Sequence, residues 1–403
     1  DAMLDVIIVG AGPAGSAAAA VLARRGCRVL TLERATFPRP KPCGDYLNPG
    51  CGAVLARIGA LEAVRHAAAP VSGMRIVAPD GTGATTAFSS GMGYALPRAT
   101  LDHLLAGHAA GLGASVVEEA CVVGIAHEGG HIRVTAERGR GGRPLEHYHA
   151  RIVIGADGLR SRVARMTGTG GPPRAGRFTI GGYLGELAPA ATGGGAPPPG
   201  EVHLDRDRYC GVAYLPGDLA NVTIALGRPE LRTWRGALES RYWASLRAFP
   251  GLAGRLGRAR LVGGLRAAGP LAYWRRRAVA DGVVLVGDAA AYMDPMTGQG
   301  VYLALRGAEL AAEAVAGALD GGGPTARILA GYERERRRAF AEAFLLSHLL
   351  QYLAFRPSTA AHALRRMAQR PELGTRFIDA VGNVEHAASL FRPGFVARLL
   401  GNA

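Results

Sequence analysis

Three residues combine reactive side chains with unusual placement. Lys41 is the only lysine of the chain; arginine serves at every other basic position. A compact ammonium can titrate, or approach a ligand, where a planar guanidinium cannot. Cys43 lies two residues on, within Phe37-Pro38-Arg39-Pro40-Lys41-Pro42-Cys43-Gly44-Asp45-Tyr46. The three prolines make this a stiff, non-helical loop suited to holding groups beside a ligand. Cys43 is either a proton donor or a small apolar packing residue. Asp294, just before Pro295, is either a proton relay or a helix cap. Asp45 and Tyr46 are acids or turn and wall residues. Tyr209 and Tyr214 shape a pocket or pack on a strand.

The elements that must position these groups begin at residue 5. The apolar run Val6 to Val9 ends in Gly10-Ala11-Gly12-Pro13-Ala14-Gly15, an alanine-rich helix follows, and a second apolar run, Val29 to Leu32, closes on Glu33. Gly10 allows the tight strand-to-helix turn, Gly12 lets a pyrophosphate approach the backbone, and Gly15 lets the helix lie close on the strand. The helix N-terminus offers free N–H groups and a positive dipole end to phosphates. Glu33 lies about 20 residues on, where a carboxylate accepts from ribose hydroxyls. A carboxylate favours a free 2′-hydroxyl, so FAD or NAD suits this pocket better than NADPH.

Two further glycine turns follow apolar strands. Gly155-Ala156-Asp157-Gly158-Leu159-Arg160-Ser161 comes after Ile152 to Ile154. Gly287-Asp288-Ala289-Ala290 comes after Val283 to Val286 and runs into Asp294-Pro295-Met296-Thr297-Gly298-Gln299-Gly300-Val301. Asp288 is placed to bond a ribityl hydroxyl, and Gly298 and Gly300 permit close backbone approach. A helix starting near Gln299 points its N-terminus at whatever lies in front; for an isoalloxazine, that dipole would stabilise negative charge at the N1/O2 edge of the reduced ring. The ordered set disfavours a site for a nucleotide alone.

Together these segments resemble the FAD-dependent oxidoreductases of the para-hydroxybenzoate hydroxylase superfamily, and most of all its geranylgeranyl reductase branch, over about residues 3 to 320. Lys41-Pro42-Cys43-Gly44-Asp45 resembles that branch's Cys-Gly segment, and Pro295 to Val301 its Pro-x-Thr-Gly-x-Gly-Ile. Arg98 with Leu101-Asp102 resembles a helix start whose arginine contacts FAD. The resemblance implies that Ala14, Glu33, Cys43, Gly44, Arg98, Val122, Asp288, Gly300 and Val301 line FAD. Arg34, Asp157, Pro295 and Gly298 complete the expected cofactor set with the three fingerprint glycines. One departure concerns the substrate: the branch's Trp-containing strand ending in Phe-Pro is here Tyr209-Cys210-Gly211-Val212-Ala213-Tyr214-Leu215-Pro216. Flavin-dependent halogenases share the fold, but their Trp-x-Trp-x-Ile-Pro motif and later lysine are missing. No second GxGxxG follows a strand. NAD(P)H is therefore expected as a transient donor, with Asp157, Arg160 and Arg162 as contacts, or a separate reductase supplies electrons.

The expected fold is α/β. A discontinuous Rossmann-like FAD-binding domain takes residues 3–70, 99–163 and 279–320. An antiparallel substrate sheet takes 71–98 and 164–278, and a helical region takes 321–403. Single helices are expected over 53–67 and about 231–249, and a hairpin turning at Asp80-Gly81. The reaction expected is reduction of carbon–carbon double bonds in an apolar, isoprenoid- or polyketide-like substrate. The alternatives are oxygen-dependent hydroxylation on the same scaffold and, in another class, a non-redox carrier of prenylated partners.

Charge and composition narrow the partners. The formal net charge of +15 over 403 residues suits a nucleotide, an acyl-carrier protein or an anionic membrane surface, or reflects codon bias toward arginine. No aromatic-interleaved basic motif points to nucleic acid. Five scattered cysteines without a CxxC pair fit a reducing cytoplasm and neither a zinc site nor a disulfide frame. With no basic segment leading into a long apolar one, no secretory leader is expected, and with no run of about 18 apolar residues, no spanning helix is expected. His127-Glu128-Gly129-Gly130-His131 fits HExxH by letter, but its glycines read as a hairpin turn rather than the helix that motif needs. No metal is expected there or at His147-Tyr148-His149. The apolar segment Phe340 to Phe355 caps the cavity, joins a dimer, touches a membrane or packs on the sheet.

Overall fold

Val6 to Val9 are buried β-branched residues, the composition of a central strand covered on both faces. The computed structural model describes residues 3–139, 144–169, 176–190, 195–271, 277–321 and 323–401. In the first sheet the strand order is Val279–Ala280, Val283–Leu285, Leu145–Gly155, Leu4–Val9, Val29–Leu32, Ser115–Val117. The last five run parallel, and the long strand Leu145–Gly155 also pairs antiparallel with His131–Arg138, which pairs with Ala120–Glu128.

Register decides where the site lies. Val9 is level with Gly155 on one side and Leu32 on the other, and Gly155 is level with Leu285. The three glycine turns and Glu33 therefore leave one sheet edge, at the carboxyl ends of parallel strands, where open α/β sheets bind ligands. Helices Pro13–Arg24, Arg98–Gly111 and Gly300–Asp320 pack beside one another against this sheet.

The second sheet has seven strands, in the order Arg260–Leu271, Arg177–Gly185, Leu219–Leu226, Tyr209–Leu215, Gly200–Leu204, Gly73–Val77, Gly83–Ala87. The hairpin turning at Asp80-Gly81 is present and extends this sheet. Gly200–Leu204 pairs with Gly73–Val77 in parallel, so the sheet is not wholly antiparallel as expected. A parallel pair needs a long crossover, and here more than a hundred residues separate the two strands. One face packs under helices Arg228–Thr233 and Leu238–Ala248 through Trp234, Tyr242, Leu246 and Phe249. The other faces the first domain and the C-terminal helices.

Two expected helices are each broken by a glycine. Gly59, at φ +83°, ends Pro49–Ile58 before Leu61–Ala67 begins, and Gly236, at φ +75°, sits between Arg228–Thr233 and Leu238–Ala248. A small sheet of Tyr46–Leu47, Gly93–Ala95 and Ala69–Val71 was not anticipated. It ties the proline loop to the segment that enters the second sheet. Among the described residues beyond 323 the main elements are the helices Ala326–Ala354, Pro357–Gln369, Pro371–Val381 and Pro393–Leu400.

Candidate cofactor and substrate site

The phosphate turn is set by two close approaches. Gly10 has φ +99°, and a Cβ there would lie 2.6 Å from the Ala156 carbonyl oxygen. A Cβ on Gly15 would lie 1.8 Å from the Gly10 carbonyl oxygen, so no larger residue fits. Gly12 instead faces only the Arg39 guanidinium, 3.6 Å from where its Cβ would be, and Cβ positions at Gly44 and Gly300 meet nothing within 4 Å. Helices Pro13–Arg24 and Gly300–Asp320 carry no side-chain cap and no acid in the first turn. Their first N–H groups are left for an anion. Buried Glu33 accepts from the Ala11 amide at 2.9 Å and the Ala35 amide at 3.1 Å, and meets Arg39 at 3.2 Å. Arg34, next to it, is exposed.

The proline loop alternates with period two. Pro38, Pro40 and Pro42 are exposed, whereas Arg39, Lys41 and Cys43 turn inward. Residues two apart in an extended segment share a face, and the three inward side chains reach different places. Arg39 spans Glu33 and Asp102, at 3.2 and 3.1 Å. Lys41 Nζ lies 3.3 Å from Asp288 Oδ2 and 3.9 Å from the Cβ position of Gly158. Glu33 and Asp288 thus lie along one loop. Cys43 contacts Arg98, which is buried and holds Asp102 through two hydrogen bonds of 2.9 and 3.0 Å. Burial pushes the Cys43 thiol pKa up, against the opposing pull of Arg98. Asp45, at φ +53°, accepts from the Arg98 amide and from Asn221 Nδ2, which also donates to the Cys43 carbonyl at 2.8 Å. Burial raises the Asp45 carboxyl as well, although Asn221, Tyr183 and the Arg98 amide oppose the shift.

Other expected residues have structural partners. Asp157 Oδ2 accepts from the amides of Arg162 and Val163, holding the helix Arg162–Met166, while its buried Oδ1 has no partner among the described residues. Arg162 points back to the Cys121 sulfur and the Val122 carbonyl. Asp294 caps the turn Pro295–Thr297 through the Met296 amide and is buried between the Tyr209 hydroxyl, at 2.6 Å, and Arg177, at 3.4 Å. Of its two readings, the cap is the one its contacts describe. Tyr214 lies on the opposite sheet face from Tyr209, bonded to buried Glu201, so the two tyrosines do not share a pocket. Sequence reasoning passed over Arg39, Asn221 and Tyr183, and also Tyr292, which lies within electrostatic reach of Asp288, Cys43 and Asp294.

Two cavities flank Cys43-Gly44. A cavity of about 200 Å³ is lined by Gly44, Tyr46 and the turn Pro295 to Gly298, by Ile76, Val202, Gly211 and Ala213 of the sheet, and by Leu350, Leu353, Leu364 and Phe377 of the C-terminal helices. Its side chains are overwhelmingly apolar. A smaller pocket beside Cys43 is polar, with Lys41, Thr179, Tyr183, Asn221, Thr223 and Arg266. Away from both, Glu128, His131 and His149 bring ligand atoms within 4.8 Å of one another on the strands Ala120–Glu128, His131–Arg138 and Leu145–Gly155. This is not the HExxH arrangement, because His127 takes no part and no helix is involved. Arg133 already holds Glu128 at 2.6 Å.

Residues 3–190 and 263–346 match the family described as FAD binding domain. The chain belongs to this family of FAD-dependent oxidoreductases. Its membership agrees with the open glycine backbone, the buried Glu33 carboxylate beside the first turn and the two uncapped helix starts, all of which fit FAD. The digeranylgeranylglycerophospholipid reductase of Methanothrix thermoacetophila is 30% identical over 361 residues, 84% of each chain. The menaquinone reductase of Mycobacterium tuberculosis is 33% identical over 387 residues, 91% of this chain and 89% of the relative. Among solved structures, the flavin-dependent brominase Bmp2 superposes with a TM-score of 0.81 at 18% identity, covering 98% of both chains. A flavoprotein/dehydrogenase from Cytophaga hutchinsonii gives 0.81 at 21% identity, with 94% and 93% covered. These structures share the fold; the likeness in sequence is to the reductases.

Proposed function

We propose that this oxidoreductase reduces carbon–carbon double bonds of an apolar, isoprenoid- or polyketide-like substrate. The single observation that carries the reading is the apolar cavity whose wall includes Gly44 and the Pro295–Gly298 turn. An apolar chain held there would lie beside the segments read as binding the cofactor, which supports the reading. The reductase names of the relatives support it. FAD, when bound, supplies the hydride, replenished by NAD(P)H or a separate reductase.

The chain's own residues do the rest. The glycine turns and Glu33 hold the dinucleotide, and Lys41 with Asp288 lines its path. Asn221 and Asp45 fix the Cys43-Gly44 backbone. Cys43 keeps its proton at Sγ because burial disfavours the thiolate, and it is the group offered for protonating the second carbon. The cavity wall excludes water from the reacting bond. Reduction of the holoenzyme without oxygen, followed by isoprenoid or polyketide alkenes, tests the reading: reoxidation with saturated product is expected. Product that forms only with oxygen would replace it with hydroxylation. A colourless protein that refuses FAD but retains prenylated ligands would make it a carrier.

A further inference from the structure

The helix Ala326–Ala354 carries one outward line of side chains that the reaction does not use. Arg334, Arg338, Ala341, Leu345, Leu349 and Tyr352 recur at intervals of three and four, and Arg356 continues the line just beyond the helix. Leu345 is 57% exposed, Leu349 37% and Tyr352 58%. Three large apolar side chains in a row on one exposed helix face are not a scattered surface minority. The Arg356 guanidinium stacks on the Tyr352 ring at 3.4 Å. The opposite side of the helix is occupied: Leu346 and Ser347 are buried, and Leu350 and Leu353 line the apolar cavity.

We propose that this line seats the protein on an anionic lipid bilayer, leucines and tyrosine in the acyl boundary and arginines at the headgroups. An apolar middle with cationic ends is the pattern of helices that lie in a membrane interface, where long basic side chains snorkel to the phosphates. Glu335, bonded to Arg338, and Glu342 are the acids nearest the line, and Glu342 turns to the Ala388 amide and His386. The net charge of +15 adds long-range attraction to such a surface. A second copy fits less well. Parallel pairing sets each arginine against itself, and antiparallel pairing sets Arg334 against Arg356. Among the described residues no helix is long and apolar enough to cross a membrane, so the contact is one of lying on the surface. It stands or falls independently of the substrate.

The test is co-sedimentation of the full-length holoenzyme with vesicles of phosphatidylcholine alone and of phosphatidylcholine with phosphatidylglycerol. Binding to the anionic vesicles, weakened by salt, is expected. Leu345→Glu with Leu349→Glu should lower it by roughly tenfold or more, with the flavin spectrum unchanged. Arg334→Gln with Arg338→Gln should remove the preference for the anionic lipid, at roughly fivefold per arginine. No binding to either vesicle overturns the proposal, as does equal binding by the leucine variant. A dimer in sedimentation that the leucine substitutions split would overturn it by assigning the line to a second copy.

Discussion

Replacing Gly211 by leucine tests the substrate cavity without touching the cofactor turns. Gly211 lies mid-strand, level with Val202 and Thr223, and faces the cavity. A Cβ there meets nothing within 4 Å, so the side chain enters open space and not a packed neighbour. Glycine packs poorly in strands, and the change should leave folding stability level or slightly higher. A leucine side chain takes the place of about four substrate carbons, and at ~0.8 kcal/mol per buried methylene it withholds roughly 3 kcal/mol of binding. That is roughly a hundredfold loss in kcat/KM for a long-chain substrate, carried mostly by KM, and little loss for a short one. Anaerobic rates over a series of rising chain length, with flavin content measured in parallel, read this directly. An equal kcat/KM along the series for both proteins would refute the placement of the apolar chain.

Gly15→Ala forces a Cβ to 1.8 Å from the Gly10 carbonyl oxygen. Its expected outcome is loss of bound flavin and about 3 kcal/mol of stability, read by the flavin-to-protein absorbance ratio and the thermal midpoint. Cys43 should resist iodoacetamide at neutral pH and react faster as pH rises, because burial holds its pKa above the ordinary value; prompt labelling at neutral pH, mapped by mass spectrometry, would contradict this. Burial alone would raise Glu201, but hydrogen bonds from His203, Arg255 and Tyr214 hold its carboxyl at about 2, below the ordinary 4.5. The stability this confers is present above about pH 4.5 and is lost as pH falls toward 2. Glu201→Gln should therefore be less stable by about 3 kcal/mol at neutral pH, with Arg255 left short of its partner, and flatter across that acid window in urea titrations.

The cofactor end was legible because it is written in backbone requirements. Gly10 and Gly15 are demanded by contacts of 2.6 and 1.8 Å, and such demands survive as fixed spacings between an apolar run and a helix. The broken helices were less legible, since Gly59 and Gly236 end a helix only when the chain adopts positive φ, and glycines elsewhere sit inside helices without doing so. The parallel partnership of Gly73–Val77 with Gly200–Leu204 was not readable at all. Alternation shows which side of a strand is buried and not which strand lies beside it. The polar support of the site was missed for the same reason. Asn221 reads as a strand residue, and its contacts with Asp45 and the Cys43 carbonyl lie 176 and 178 residues away.

The proline loop shows how far a local pattern reaches once it is placed. Pro38, Pro40 and Pro42 were read as stiffness alone, yet their spacing also fixes direction, since an extended chain that exposes every second residue must turn the others inward. The three inward side chains reach successive partners. Arg39 meets Glu33 first, Lys41 meets Asp288 next, and Cys43 comes last, against Arg98 and the polar pocket. A shift of one residue would bury the prolines and expose all three reactive groups together. The loop therefore acts as a unit, and a one-residue insertion within it should cost cofactor binding and the Cys43 environment at once. Separate substitutions should lose them one at a time: Arg39→Ala at the Glu33 end, Lys41→Met at Asp288, and Cys43→Ser at the polar pocket with flavin retained.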